Sequence, residues 1–100
     1  MRQIKHPNPS QIQLTDLMYA LSDPTRIEIV RRLAKGCKLN CNELYLDRPK
    51  STMSHHFKIL REAGLVETRV EGKEHLNSLR TAEIEKKFPG FLKAVFKLIK

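Results

Sequence analysis

The spacing of apolar residues changes at Gly64, and this change constrains the fold more than any other feature of the sequence. Upstream of this glycine, apolar residues recur every three or four positions, which is the period of one face of an α-helix. Downstream the period falls to two, which is typical of a β-strand. The two sets are Met53, Phe57, Leu60 and Ala63 before the glycine, and Val66, Thr68 and Val70 after it. The sequence therefore predicts a helix from near Ser51 to Gly64 that is followed directly by a strand.

A second strand is predicted after a turn at Gly72. It runs through Leu76 to about Leu79, so the two strands form a hairpin with charged residues at its tip. The remaining elements are helical. The predicted fold class is therefore mainly α, with a two-stranded β wing after a helix.

Two amphipathic helices are predicted at the start of the folded chain. A capping box formed by Ser10 and Gln13 begins the first helix. Asp23 as N-cap and Pro24 in the first turn begin the second, which runs to a stop at Gly36. The apolar positions are Leu14, Leu17, Met18 and Leu21 in the first helix, and Ile27, Val30, Leu33 and Ala34 in the second.

A short third helix is predicted around Asn40 and Glu43, and it ends before Pro49. A short helix, a tight turn and a second helix with a polar outer face have the layout of a helix-turn-helix, whose second helix enters the major groove of DNA. Hydroxyl, imidazole and basic side chains suit that face because they bind phosphates or base edges. The candidates are Thr52, Ser54, His55, Lys58 and Arg61 on the helix, with Arg69 and Lys73 on the hairpin. The adjacent His56 is assigned to packing, since neighbours on a helix point about 100° apart.

Two stretches of the sequence resemble the ArsR/SmtB family of bacterial repressors. They are ALSDPTRIEIVRRL at 20–33 and STMSHHFKILREAGL at 51–65, and the resemblance spans roughly residues 14–80. It implies a winged helix-turn-helix homodimer, joined through its first and last helices, that represses transcription and leaves its operator when an inducer binds or oxidises it. The family's DNA-contacting positions fall on Ser51, Thr52, Ser54, His55 and Lys58, with Arg69 and Lys73 in the wing.

The last predicted helical region carries a larger apolar stripe than the end of a small chain needs. It begins at Thr81 and is interrupted by Pro89 and Gly90. We expect the stripe to be buried against a second copy of the chain, so a homodimer is predicted. A basic helix lying on a membrane surface is the less economical alternative. The stripe comprises Ile84, Phe88, Phe91, Leu92, Val95 and Ile99.

The composition fits one domain that binds a polyanion. A chain of 100 residues, 40% of them hydrophobic, can form one core, which we expect within residues 10–100 after a loose leader at 1–9. The formal net charge of +8 favours nucleic acid or an anionic surface. No apolar run approaches the ~20 residues that cross a bilayer, and no signal peptide is evident, so a cytoplasmic location is predicted.

Cys37 and Cys41 are the candidate sensing residues. Many members of the family that the sequence resembles sense soft metals through a Cys-x-Cys pair, a spacing that is not matched here. Two thiols are also fewer than the three or four ligands of a stable zinc site, so neither a metal site nor a cofactor is predicted. Cys41 lies at a predicted helix N-terminus near Lys38, which favours a thiolate that oxidation could link to Cys37. The alternative is that both cysteines are small buried hydrophobes.

A protein-interaction module with a winged-helix shape is the alternative to a DNA-binding repressor. Such a module would more often expose apolar or aromatic anchors where this sequence has polar and basic residues. Enzymatic activity is not predicted, because the sequence shows no nucleophile paired with a base and no glycine loop that would hold a phosphate. The sequence does not identify an inducer.

Overall fold

The computed structural model describes residues 4–35, 39–40 and 48–99. The helices of this part of the chain are α1 (Leu14–Ala20), α2 (Pro24–Leu33), α3 (Lys50–Ala63), α4 (Thr81–Lys87) and α5 (Phe91–Leu98). Its strands are β1 (Leu39–Asn40), β2 (Val66–Glu71) and β3 (Glu74–Leu79), and one 3₁₀ turn covers Pro9–Gln11. Most of the predicted third helix, together with Cys37 and Cys41, lies outside the described residues.

The predicted change from helix to strand at Gly64 is confirmed. Helix α3 ends at Ala63, the glycine has a left-handed φ of 89°, and β2 begins at Val66. A β-carbon on Gly64 would lie 2.5 Å from Cγ1 of Ile12, a buried residue of the core. The position therefore needs glycine both for its backbone angle and for this close approach. The four apolar residues predicted on the helix are all buried: Met53, Phe57, Leu60 and Ala63.

Replacing Gly64 with alanine should lower the free energy of unfolding by roughly 2–4 kcal/mol, because left-handed strain adds to overpacking against Ile12. Urea denaturation followed by circular dichroism would measure the loss. Gly72→Ala is the matched control, since Gly72 also has a positive φ of 61° but nothing lies within 4 Å of the added β-carbon. Equal destabilisation by the two substitutions would contradict the role given to the Ile12 contact.

The hairpin predicted after α3 is also confirmed, and the sheet has a strand that the sequence did not predict. Strands β2 and β3 are antiparallel, with Val66 opposite Leu79 and Glu71 opposite Glu74. Strand β1 pairs with the other side of β3, so the sheet order is β1-β3-β2. A strand of two residues shows no hydrophobic period, and pairing with β3 is what defines it.

The start of the first helix differs from the prediction. The backbone N–H of Asn8 donates to the Oε1 atom of Gln11 over 2.8 Å, and this pair closes the 3₁₀ turn. Helix α1 then begins separately at Leu14, and its N-cap residue Gln13 makes no side-chain capping hydrogen bond. The capping box predicted at Ser10 and Gln13 is therefore wrong. Pro9 follows Asn8 directly and starts the helical turn earlier, since proline is favoured at a first helical position.

The described part of the predicted leader is attached to the fold. The Nε2 atom of His6 accepts a hydrogen bond of 3.0 Å from the backbone N–H of Thr68 in β2. Strand β2 is at the edge of the sheet, so this contact pairs an amide that the sheet itself leaves free. The Nζ atom of Lys87 also donates to three carbonyls of the following segment, those of Pro9, Ser10 and Ile12. His6 and Pro9 thus contact the folded part of the chain through hydrogen bonds.

The C-terminal apolar stripe is only partly covered by this chain. The predicted interruption divides it into α4 and α5, and Gly90 between them has a φ of 87°. Ile84 and Leu92 are fully buried, whereas the other stripe residues, Phe88, Phe91, Val95 and Ile99, are only half-buried. Leu98, outside the stripe, is 84% exposed. The helices in the described part of the chain are all too short or too polar to cross a membrane.

Candidate nucleic-acid interface

The polar candidates on α3 share one exposed face. Because Met53, Phe57 and Leu60 pack into the core, the opposite side of the helix points to solvent. Every DNA-contacting position that the family resemblance implies on this helix is exposed. These positions are Ser51, Thr52, Ser54, His55 and Lys58.

The electrostatic character of this face favours an anion. No carboxylate lies between residues 50 and 61, while Lys50 and Lys58 are both exposed there. Unpaired backbone N–H groups and the helix dipole add positive potential at the N-terminal end of α3. The exposed hydroxyls at this end could therefore lie against phosphate or base edges, with no carboxylate after them in the sequence before Glu62.

Arg61 occupies a different environment from the other candidates. It is half-buried near the C-terminal end of α3. Burial is the main reason that the pKa of His6 is lowered, and the charge of Arg61 adds to this effect. Arg61 therefore lies on the side of the helix toward the N-terminal segment, and it does not share the open position of Lys58.

The hairpin is less basic than its two predicted DNA-contacting residues, Arg69 and Lys73, suggest. Arg69 is exposed, but its Nε atom donates to the Oε1 atom of Glu67 over 2.6 Å. Lys73 is exposed at the turn, between Glu71 and Glu74. Three carboxylates thus accompany two basic side chains on this hairpin. Glu67 thus offsets part of the positive charge that Arg69 would present to a phosphate.

Arg26 is a residue of this site whose role was not predicted from the sequence. Its side chain is only 6% exposed, although it carries a permanent charge. Its Nε atom donates to the carbonyl of Ala20 over 2.7 Å, and its Nη2 atom donates to that of Tyr19 over 3.3 Å. Its Nη1 atom lies 3.1 Å from the Nδ1 atom of His56 on α3. The guanidinium therefore joins the C-terminal end of α1 to the buried side of α3.

A sequence signal for Arg26 did exist. The predicted apolar stripe of α2 included Ile27, which is half-buried in the structure. The buried face instead has the helical spacing of Arg26, Ile29, Val30 and Leu33. An arginine at the first position of a buried stripe needs internal hydrogen bonds, since an unpaired charge there would be costly.

The predicted packing role of His56 is confirmed, because its side chain is buried while that of His55 is exposed.

The candidate sensing residues cannot be placed at this site, because Cys37 and Cys41 lie outside the described residues. Among the residues that the structure does describe, no three His, Cys, Asp or Glu side chains form a group that could hold a metal ion.

Comparison with known proteins agrees with the geometry of α3 and the hairpin. A family model for a helix-turn-helix domain matches residues 21–69. The uncharacterized HTH-type transcriptional regulator YceK of Bacillus subtilis (strain 168) is 42% identical over 79 residues, which cover 76% of this chain and 79% of YceK. The arsenical resistance operon repressor of Staphylococcus xylosus is 37% identical over 68 residues, which cover 67% of this chain and 65% of that protein.

A solved structure shows the same arrangement of elements. The ArsR-like transcriptional regulator from Rhodococcus sp. RHA1 superposes with a TM-score of 0.66 at 26% sequence identity. The superposition covers 85% of this chain and 81% of that one. The similarity therefore extends beyond α3 and the hairpin to most of the chain.

Proposed function

Since this chain belongs to the ArsR/SmtB family of winged helix-turn-helix transcriptional regulators, we propose that it is a repressor that binds a specific operator as a homodimer. The observation that carries this proposal is the outer face of α3, which exposes hydroxyl, imidazole and ammonium groups with no carboxylate between residues 50 and 61. This helix would enter the major groove of double-stranded DNA. The protein would act in the cytoplasm, where the DNA of a prokaryotic cell lies.

The side chains of α3 would have different roles in DNA binding because they differ in chemistry. Lys58 would neutralise phosphates, which adds affinity for any sequence. Ser54 and His55 can donate to or accept from base edges, which adds preference for one sequence. In the wing, Lys73 and Arg69 would contact the neighbouring backbone. Arg69 could contact phosphate through its Nη groups, since only its Nε atom donates to Glu67.

Substitutions on α3 should separate affinity from specificity. Lys58→Ala should weaken binding to operator and random DNA by similar factors and reduce the salt slope by about 0.9. Ser54→Ala or His55→Ala should mainly reduce the preference for the operator, by about 1 kcal/mol or more. Fluorescence anisotropy at several salt concentrations would measure both, using a duplex from the region upstream of the gene and a scrambled duplex of equal length.

Lys86→Ala is the matched control, since Lys86 is also exposed but lies on α4, outside the proposed interface. It should leave affinity and salt slope unchanged. Equal losses on operator and scrambled DNA for Ser54→Ala and His55→Ala would contradict their assignment to base reading.

The distribution of exposed apolar side chains supports dimerisation through the first and last helices. Among the described residues, the large hydrophobic side chains that are strongly exposed all lie on α1 and α5. Burying both surfaces in a two-fold interface would remove them from water and place two copies of α3 about 34 Å apart, one turn of DNA. The exposed set comprises Leu14, Met18, Tyr19 and Leu98.

A charge placed in this apolar surface should dissociate the dimer. Leu98→Glu should shift the protein toward monomer at micromolar concentration, because an unpaired carboxylate would have to be buried in the interface. Sedimentation velocity would measure the shift, with Lys86→Glu as the control for added negative charge. A wild-type protein that sediments as a monomer at micromolar concentration would overturn the proposed dimer.

Release from DNA by thiol oxidation is a further part of the proposal, and it rests on the sequence around Cys37 and Cys41. A disulfide between them would constrain the segment that precedes α3. Diamide should therefore reduce operator binding by the wild-type protein and leave the Cys37→Ser, Cys41→Ser double variant unaffected. Anisotropy before and after treatment would measure the change. Unchanged operator affinity of the oxidised wild-type protein would show that another signal releases the DNA.

A further inference from the structure

One buried side chain connects three helices directly behind the proposed DNA-binding face. The guanidinium of Arg26, on α2, donates to the carbonyls of Tyr19 and Ala20 in the last turn of α1. It also lies over the Tyr19 ring, 5.4 Å from its centroid. Carbonyls in the last turn of a helix lack partners within the helix, and the bond from Nε satisfies that of Ala20. The carbonyl of Tyr19 also accepts from the backbone N–H and the hydroxyl of Ser22. The third bond, to His56, is the one that reaches α3.

The chemistry of an arginine determines where the proton of His56 must be. A guanidinium has five N–H donors, no acceptor and a pKa too high to lose its charge. The Nδ1 atom of His56, 3.1 Å from Nη1 of Arg26, must therefore accept the hydrogen bond. This requires the neutral imidazole with its proton on Nε2. A protonated His56 would present a second donor and a second positive charge to Arg26.

We propose that the Arg26–His56 hydrogen bond positions α3 for DNA recognition, and that protonation of His56 breaks it and weakens DNA binding as the pH falls. This inference rests on the proposed function. Arg26 and His56 act as positioning residues, since His56 is 8% exposed and faces away from the DNA-binding surface. The neighbouring His55 is on that surface, and the two rings are 6.0 Å apart. A shift of His56 would therefore move His55 as well.

The charges around His56 set the pH range of this effect. Burial is the main cause of its lowered pKa, and the positive charges of Arg26, His55 and Arg48 lower it further. Asp23, the N-cap residue of α2, opposes them and raises the pKa. The net pKa lies below the ordinary value of 6.5. The bond is therefore intact at neutral pH and is lost as the pH falls through this lowered value.

The free energy of unfolding should also decrease as the pH falls. An unfolded chain takes up the proton of a histidine near pH 6.5, whereas folded His56 takes it up only at lower pH. Its contribution to folding is therefore complete above pH 6.5 and decreases as the pH falls below it.

Nuclear magnetic resonance of the imidazole nitrogens tests the bond without DNA. At pH 7.5 the ¹⁵N shifts of His56 should show the neutral ring with its proton on Nε2, and a titration should give a pKa below 6.5. The exposed His75 provides an internal reference in the same spectra. A proton on Nδ1 at pH 7.5, or a pKa at or above 6.5, would overturn the inference.

Operator binding measured from pH 5.5 to 8 tests the effect on recognition. The affinity of the wild-type protein for the operator should fall by up to about tenfold per pH unit below the pKa of His56, because the binding-competent fraction decreases. His56→Asn should lack this loss and bind normally at pH 7.5, because its Oδ1 atom is an acceptor near the position of Nδ1 and does not titrate. His56→Ala should bind weakly at every pH. Circular dichroism would confirm that each variant is folded.

The comparison between wild type and His56→Asn isolates this one group, since every other side chain is the same in both proteins. Identical pH profiles for the two proteins would contradict this inference alone. A wild-type protein with no preference for its upstream DNA at pH 7.5 would instead contradict the proposed function, and the inference with it.

Discussion

Burial of one face of α3 is the constraint on which the rest of the structure depends. Met53, Phe57 and Leu60 must leave water, and the helical period then forces the residues between them to point outward. Those residues carry hydroxyl, imidazole and ammonium groups. The same helix that completes the core therefore presents the candidate DNA-binding surface. Gly64 ends it at the point where the chain can turn into β2, so the wing lies beside that surface.

Directional polar contacts determine the relative positions of the helices and strands more closely than apolar packing does. Burial of the apolar face decides which side of α3 points inward, but the hydrophobic effect is non-directional and does not fix the position of the helix against its neighbours. Arg26 adds hydrogen bonds to α1 and α3, and the bond to His56 would be lost if α3 moved, leaving a buried polar group unpaired. In the sheet, Thr68 on β2 donates to Asn77 on β3 over 2.6 Å, and both are buried. Such fully satisfied buried networks favour one arrangement of the elements.

The positive charge of the protein is unevenly placed. The net charge of +8 predicted a polyanionic partner, yet the hairpin carries more carboxylates than basic groups. Glu67 accepts a hydrogen bond from the Nε atom of Arg69, an interaction between residues two apart on one face of β2. The helix would therefore provide the main electrostatic attraction to DNA, and the wing would add less to it. Net charge alone could not reveal this difference between the two surfaces.

By itself the sequence determined the helices of the described residues, the hairpin and the polar face of α3, because hydrophobic period and end signals such as Gly64 act over a few residues. It failed where two local signals compete, as when Asn8 and not Ser10 begins the first helical turn. Only the tertiary structure decided that Arg26 meets His56, 30 residues away, at a buried junction. No periodicity links such residues, since their contact depends on how complete helices pack against one another.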